Sequence, residues 1–289
     1  MEWYKPYLTV YEKPYSQAPK AIIEEVREKI GRLQSSSPLV TVSVIGYNEE
    51  KHLLACLWSL SNQVCKYPME IIGVDNDSKD CTAQIFQDTH VPYYTETQHS
   101  CGWARSCGLA HAKGKYHINI DSDTLYPPHY VEIMVDALER KNVVGASSLW
   151  SYIPDQAHPW WQLKIYEFTR DCYLFLQSFK RPEMSVRGMV FAYHTQLAQK
   201  VGIRTHIIRG EDGALAFGLR EYGKLYFVRK RKARAVTGYG TVSKDGTLFD
   251  SFKVRVIKGL KNISSLFTSK TEYIDEESNL INQKNENSN

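Results

Sequence analysis

The sequence predicts an α/β fold, a mostly parallel sheet flanked by helices, with an N-terminal arm and helix before it and a C-terminal amphipathic helix after it. Three observations carry this. Twice in succession an apolar, β-branched run leads into a polar loop and then into helical apolar spacing, the order that builds a parallel sheet with right-handed crossovers. A later alternating run, Tyr116-His117-Ile118-Asn119-Ile120, ends in Asp121-Ser122-Asp123. Ligands of open α/β sheets bind at the carboxyl edge of the strands, so the chemistry is expected there.

The elements follow in order. Tyr4, Tyr7, Tyr11 and Tyr15, interrupted by Pro6 and Pro14, make an arm lying on the body. Ile22, Ile23, Val26, Ile30 and Leu33 give an amphipathic helix over 20–33, and Gly31 with Ser35-Ser36-Ser37-Pro38 marks a boundary. The first strand is 39–45. Gly46-Tyr47-Asn48-Glu49-Glu50 then opens a helix from about 51 to 62. The second strand, 69–74, ends in Asp75-Asn76-Asp77-Ser78-Lys79-Asp80, and a helix runs through Phe86. A short strand at 91–94 and a small-residue helix at 102–110, carrying Arg105, precede the strand that ends in Asp121.

Beyond Pro128 the pattern is helical to about Arg140, then a strand at 143–146. Nine aromatics crowd between Trp150 and Phe179; core packing is the reading for most, with Trp160 and Trp161 as site candidates because flat rings stack on sugar C–H faces. Arg187-Gly188 opens a glycine-marked strand through Tyr193, and Glu211-Asp212 opens a helix through Leu219. Arg229, Lys230, Arg231, Lys232 and Arg234 form a basic cluster. Phe252, Val256, Leu260, Ile263 and Phe267 step at helical intervals among lysines and arginines, giving a basic amphipathic helix within 249–267. That helix either lies on an anionic membrane surface or docks on the domain. The tail, 271–289, is polar and expected to be disordered.

Composition narrows the classes. At 289 residues and 43% hydrophobic content the chain can build a sizeable core unaided. No run of about eighteen consecutive apolar residues predicts a membrane span, and Met1-Glu2-Trp3-Tyr4-Lys5 lacks the pattern of a signal peptide. The six cysteines form no Cys-x-x-Cys pair, which argues against zinc and for reduced thiols, a Cys101–Cys107 bridge being disfavoured. The expected location is cytoplasmic, or peripheral on the inner face of the cytoplasmic membrane. The basic cluster comes without an RNA-binding or helix-turn-helix pattern, so nucleic acid is not an expected partner.

Asp121 and Asp123, one residue apart, would face the same side of an extended backbone and meet one cation. Two hard oxygen ligands suit Mn²⁺ or Mg²⁺ completed by water and substrate phosphates; the alternative is a turn or helix cap. Arg105 beside such a site calls for an anion between them, and a diphosphate fits a planar guanidinium; the alternative is an arginine pairing an acid. Glu211 and Asp212 are read either as favourable charges at a helix start or as a general base with its support.

Five segments in register, Val42 to Glu50, Val74 to Thr82, Ala104 to Gly108, Asp121-Ser122-Asp123 and Gly210-Glu211-Asp212, resemble glycosyltransferase family 2, inverting enzymes with a GT-A fold built on a single Rossmann-like sheet. The resemblance covers roughly 39–228. It departs where the second loop commonly reads Asp-Asp-Gly-Ser and where Asn usually stands at Ser106. It implies a hexosyltransferase using a nucleoside-diphosphate sugar, with a UDP-sugar favoured, and a glycan or lipid-linked glycan acceptor. Tyr47, Asn48, Glu49, Asp75, Asn76 and Ser78 would hold base and ribose, Arg105 the phosphates, Asp121 ribose or metal-bound water, and Asp123 the metal. Asp212 would be the base, supported by Glu211, with Trp160, Trp161 and Gly188 on the acceptor side. The expected division is 1–37 arm and helix, 38–125 donor half, 126–235 acceptor half, 236–270 basic segment and 271–289 tail. The spanning helices and Gln-x-x-Arg-Trp stretch of processive synthases are missing, which favours transfer of one sugar per encounter. The rivals are a nucleotidyltransferase for sugar activation, disfavoured by the acidic loop after the first strand, and a noncatalytic membrane-peripheral sugar-nucleotide-binding protein.

Overall fold

The computed structural model describes residues 3–155, 158–207 and 210–238. The helix expected within 249–267 and the tail lie outside the described residues. A seven-stranded sheet forms the centre, in the order β3 (Tyr93–Thr95), β2 (Met69–Asp75), β1 (Val40–Gly46), β4 (Tyr116–Asp121), β8 (Phe191–His194), β6 (Val143–Ser148) and β9 (Lys224–Val228). β1 pairs in parallel with β2 and β4, and β2 with β3; β8 runs antiparallel to both its neighbours, β4 and β6. Parallel strands covered on both faces need apolar residues throughout, and Val40, Val42, Val44, Ile71, Val74, Ile118 and Ile120 are fully buried.

Helices α1 (Lys20–Leu33), α2 (Leu53–Ser61), α3 (Thr82–Asp88), α4 (Cys101–His111) and α5 (Tyr130–Leu138) flank this half. α1 buries Val26 and Ile30 and packs on α2; it runs straight through Gly31 to Leu33, the span its apolar spacing predicts, and the boundary follows at Gln34. One glycine on a helix costs only about 1 kcal/mol, less than the packing of the turns around it. α4 lies close on the sheet because Gly108 has no side chain: a Cβ there would sit 2.2 Å from Ser43 Oγ.

The remaining helices are α6 (Trp160–Lys180), α7 (Thr195–Val201) and α8 (Glu211–Leu219). A second, three-stranded sheet joins β5 (Thr124–Leu125), β10 (Ala235–Thr237) and β7 (Trp150–Tyr152), which the sequence pattern did not predict. Its strands are two or three residues long, too short for period-two alternation to register. The strand expected from Arg187 begins only at Phe191: Val190 N donates to Arg187 O at 3.0 Å, closing a 3₁₀ turn over Gly188–Val190. The crowded aromatics also divide. Trp150, Tyr152 and Tyr166 are buried, whereas Trp160, Trp161, Phe168, Phe175 and Phe179 are exposed, because α6 meets the body along one side only.

The arm does lie on the body. A 3₁₀ turn over Lys5–Thr9 is started by Pro6, Tyr7 and Tyr11 are buried, and the Tyr7 ring stands edge-on to Trp58. Among the described residues no helix is long and apolar enough to cross a membrane, and all six cysteines are free.

Candidate active site

β1, β2 and β4 end side by side, and parallel pairing puts all three carboxyl ends on one edge. Gly46 pairs with Asp75 and Ile45 with Asp121, so three loops begin at the same level. The first two are tied together by Asn48 N donating to Ser78 Oγ (2.9 Å) and Lys79 N donating to Asn48 Oδ1 (2.8 Å). Asn48 takes a left-handed φ of 53° to allow it, a conformation that asparagine tolerates better than most residues. Asp75 is buried and accepts from Ser78 N; the Asn76 amide donates to Glu96 O and Gln98 O at 2.8 Å each. Asn48, Asn76 and Ser78 thus hold the loops to one another. Tyr47, half exposed, stands above them with its ring 5.1 Å from His99.

Asp121 is the last residue of β4, and the backbone turns at Ser122–Asp123. Period-two alternation therefore does not set the two aspartates on one face, a correction to the sequence expectation. They remain electrostatic neighbours: burial, then the Asp121 and Glu49 carboxylates, push the Asp123 carboxyl up to about 7. Thr124 Oγ1 donates to Asp123 Oδ1 at 2.9 Å, and Tyr11 Oη, from the arm, donates to Asp123 O at 2.8 Å. His52 bridges Glu49 Oε2 (2.6 Å) and Glu12 Oε1 (3.2 Å); burial opposes its charge, but the two carboxylates raise its pKa to about 8.

Arg105, on α4, is almost wholly buried. Its Nη2 donates to Asp121 Oδ1 at 3.0 Å, and its Nε lies 3.4 Å from Asp212 Oδ1 and 3.5 Å from Glu211 Oε1. Of the two readings that the sequence leaves open for Arg105, the pairing with acids is the one seen here. A buried guanidinium needs compensating charge nearby, and three carboxylates of the protein provide it. Glu211 and Asp212 occupy the first turn of α8, where the helix dipole favours acids. Burial is the largest influence on Asp212 and raises its carboxyl to about 7; Arg105 and Arg187 oppose it, and Glu211 and Asp121 add to it. Asp212 Oδ1, though buried, has no hydrogen bond among the described residues. Gly188 completes the cluster: a Cβ there would stand 2.0 Å from Arg105 Nη2 and 2.3 Å from Asp212 Oδ2.

The structure thus joins Arg105, Asp121, Glu211, Asp212 and Gly188, with Asp123 and Glu49 beside Asp121. Trp160 and Trp161 are not part of that cluster; they stand exposed on the first turn of α6. Tyr11, His52 and Arg187 were not singled out from sequence. Their parts depend on contacts with distant segments, and no spacing signals those. Among the described residues no group of three or more His, Cys, Asp or Glu side chains is placed to hold a metal ion. Asp121 and Asp123, close enough for the Asp121 carboxylate to raise the Asp123 carboxyl, are hard oxygen donors of the kind that Mg²⁺ or Mn²⁺ takes beside water and phosphate.

A seven-stranded sheet with acidic loops converging at one carboxyl edge defines the GT-A class of α/β protein. Residues 41–202, more than half of the chain, match the family described as Glycosyl transferase family 2, and the chain belongs to that family. It is 25% identical over 197 residues to the uncharacterized glycosyltransferase RP339 of Rickettsia prowazekii, covering 66% of this chain and 61% of that one. It is 30% identical over 112 residues to the glycosyltransferase GlyG of Streptococcus pneumoniae, covering 37% of each. The chain therefore spans about three fifths or less of the length of these relatives. Among solved structures, the mannosyltransferase PcManGT of Pyrobaculum calidifontis, in complex with GDP-Man and Mn²⁺, aligns with a TM-score of 0.54 at 19% identity, covering 75% of this chain and 68% of that one. TarS 1-349 of S. aureus in complex with UDP aligns at 0.53 and 17% identity, covering 69% and 60%.

Proposed function

We propose that this chain is a metal-dependent inverting glycosyltransferase that moves one sugar from a nucleoside-diphosphate sugar, UDP-linked in the first instance, to a hydroxyl of a glycan or lipid-linked glycan. The observation that carries this reading is the convergence on Arg105 of Asp121, from the end of β4, and Asp212, from the start of α8. The complexes of PcManGT with GDP-Man and Mn²⁺ and of TarS with UDP support the donor class and the cation. In this reading residues 38–125 hold the donor and 126–235 the acceptor. The proposed setting is the cytoplasm, peripheral on the inner face of the cytoplasmic membrane.

Asp212 takes the proton of the acceptor hydroxyl through its Oδ1, which accepts no hydrogen bond among the described residues, as the hydroxyl oxygen attacks the anomeric carbon. The new C–O bond forms on the face opposite the departing diphosphate, which leaves with the electron pair of the broken bond. A single displacement with one base inverts the anomeric centre. Arg105 keeps Asp212 ionisable despite its burial and fixes it relative to β4. Asp123 and Asp121 are the groups that would face the cation, which when bound supplies Lewis-acid neutralisation of the diphosphate. Tyr47 and Asp75 line the loops proposed for base and ribose.

Thermal melts with UDP, GDP and dTDP, each with and without Mn²⁺, test the donor site, since a ligand of the folded state raises Tm. UDP with Mn²⁺ is expected to give the largest shift, and Asp123→Ala to remove its metal-dependent part. No shift with any of the three diphosphates in either condition rejects the reading.

A further inference from the structure

α6 is apolar on two sides. Leu163, Tyr166 and Leu174 turn inward with the buried Glu167, Arg170 and Gln177. On the other side Trp161, Ile165, Phe168, Phe175, Leu176 and Phe179 are 43 to 69% exposed. At about 100° per residue these positions fall within one arc of the helix and form a stripe along it. Exposed apolar side chains are ordinary when scattered, whereas a continuous stripe of this kind marks a surface that meets something.

Charge says what. Arg229 stacks its guanidinium 4.1 Å from the Phe175 ring centroid and begins the exposed run Arg229-Lys230-Arg231-Lys232. Lys164 and Lys180 add exposed positive charge on the helix itself. The two acids of α6 are engaged: Glu167 is buried with Lys164 and Arg234, and Asp171 pairs with Arg170 and Arg234. We propose that this face docks on an anionic phospholipid surface, with α6 lying in the plane of the interface and its aromatic stripe among the acyl chains near the headgroups. Trp and Phe with flanking cations suit that boundary. A second copy of the chain would bring the same positive rim to a face that already has one. Within the segment after residue 238, the stretch 249–267 carries Lys253, Arg255, Lys258 and Lys261 against the one acid Asp250 and meets the same objection. The chain leaving α6 passes through the 3₁₀ turn Pro182–Ser185 to Gly188, against Asp212, so the docking helix is continuous with the segment that packs on the candidate base.

The inference does not rest on the transferase reading, and vesicle flotation of the full chain tests it without an activity readout. Wild type is expected to float with phosphatidylglycerol-containing vesicles and not with pure phosphatidylcholine. F168S/F175S, both at exposed positions, is expected to lose at least about tenfold in binding, or ~1.4 kcal/mol, with an unchanged thermal melt. K230E/K232E is expected to weaken binding about tenfold or more through lost and reversed charge. Wild type that stays at the bottom with anionic vesicles overturns the proposal. So does undiminished flotation of F168S/F175S, above all if K258E/K261E abolishes it, which would move the contact to 249–267. A dimer in sedimentation equilibrium that F168S/F175S dissociates, with no vesicle binding by wild type, would assign the face to a second copy.

Discussion

Asp212 must be ionised to take a proton, and burial works against that. With its carboxyl raised to about 7, the base is available above that pH and protonated below it. The turnover number is therefore expected to rise with pH, half-maximal near 7, and to fall about tenfold per unit on the acid side. Asp212→Asn keeps the shape of the side chain but cannot take the proton. It should lose about 10²- to 10⁴-fold in turnover while retaining the UDP–Mn²⁺ thermal shift; wild-type turnover in this variant rejects Asp212 as the base. Gly188 makes a second test, because its missing side chain lets Arg105 and Asp212 close on each other. Gly188→Ala should push them apart and lower turnover on the order of 10²-fold, the usual effect of displacing a catalytic group by about 1 Å, with donor binding unchanged. A fully active Gly188→Ala enzyme would show that the spacing does not matter. The acids themselves were legible from sequence as candidates because they stand at a strand's carboxyl end and at a helix start, although capping and the helix dipole gave them a structural use as well. Which of them Arg105 pairs with was not, because that depends on how close α4 comes to α8.

Elements with their own periodicity were the easiest to anticipate. α1 occupies the span that its apolar spacing predicts, and β1, β2 and β4 fall within one or two residues of their runs. The N-terminal arm was legible only as an arm. Its purpose shows in Tyr11 on the Asp123 carbonyl and Glu12 on His52, contacts made across the chain. His52 staples the arm to Glu49, and its folded pKa of about 8 exceeds the ordinary 6.5. The stability this staple contributes is complete below pH 6.5 and lost as the pH rises through 8. His52→Gln should then cost at most about 2 kcal/mol at pH 6 and almost nothing at pH 9, from urea unfolding at both. An equal cost at the two pH values would mean that packing rather than charge holds the arm. The misread stretch at Arg187 failed for a local reason: a glycine before an apolar run can mark a strand or the turn that enters one, and only tertiary contacts decide.

Across the whole molecule, the parallel half was predictable because each strand is followed by its own crossover helix. The reversal of β8 between β4 and β6, and the three-stranded sheet, are products of long-range pairing that no local pattern encodes. Arg105 joins α4 and β4 to the start of α8, beside the direct pairing of β4 with β8. Arg105→Met leaves Asp121, Glu211 and Asp212 facing one another without a cation. Removing one partner from a buried charge cluster costs about 3–5 kcal/mol, and Tm should fall by several degrees. The loss should also depend on pH in a fixed direction. Without Arg105, the influence that lowers the Asp212 carboxyl disappears, so its folded-state pKa moves further above the unfolded value. A carboxyl raised in the folded state binds more protons there than in the unfolded chain, and stability then falls as pH rises through that interval. Urea unfolding of Arg105→Met is therefore expected to show a smaller deficit at pH 5.5 than at pH 8. A deficit equal at both values would mean that Arg105 joins the halves through the packing of its side chain, and that the carboxylates do not depend on its charge.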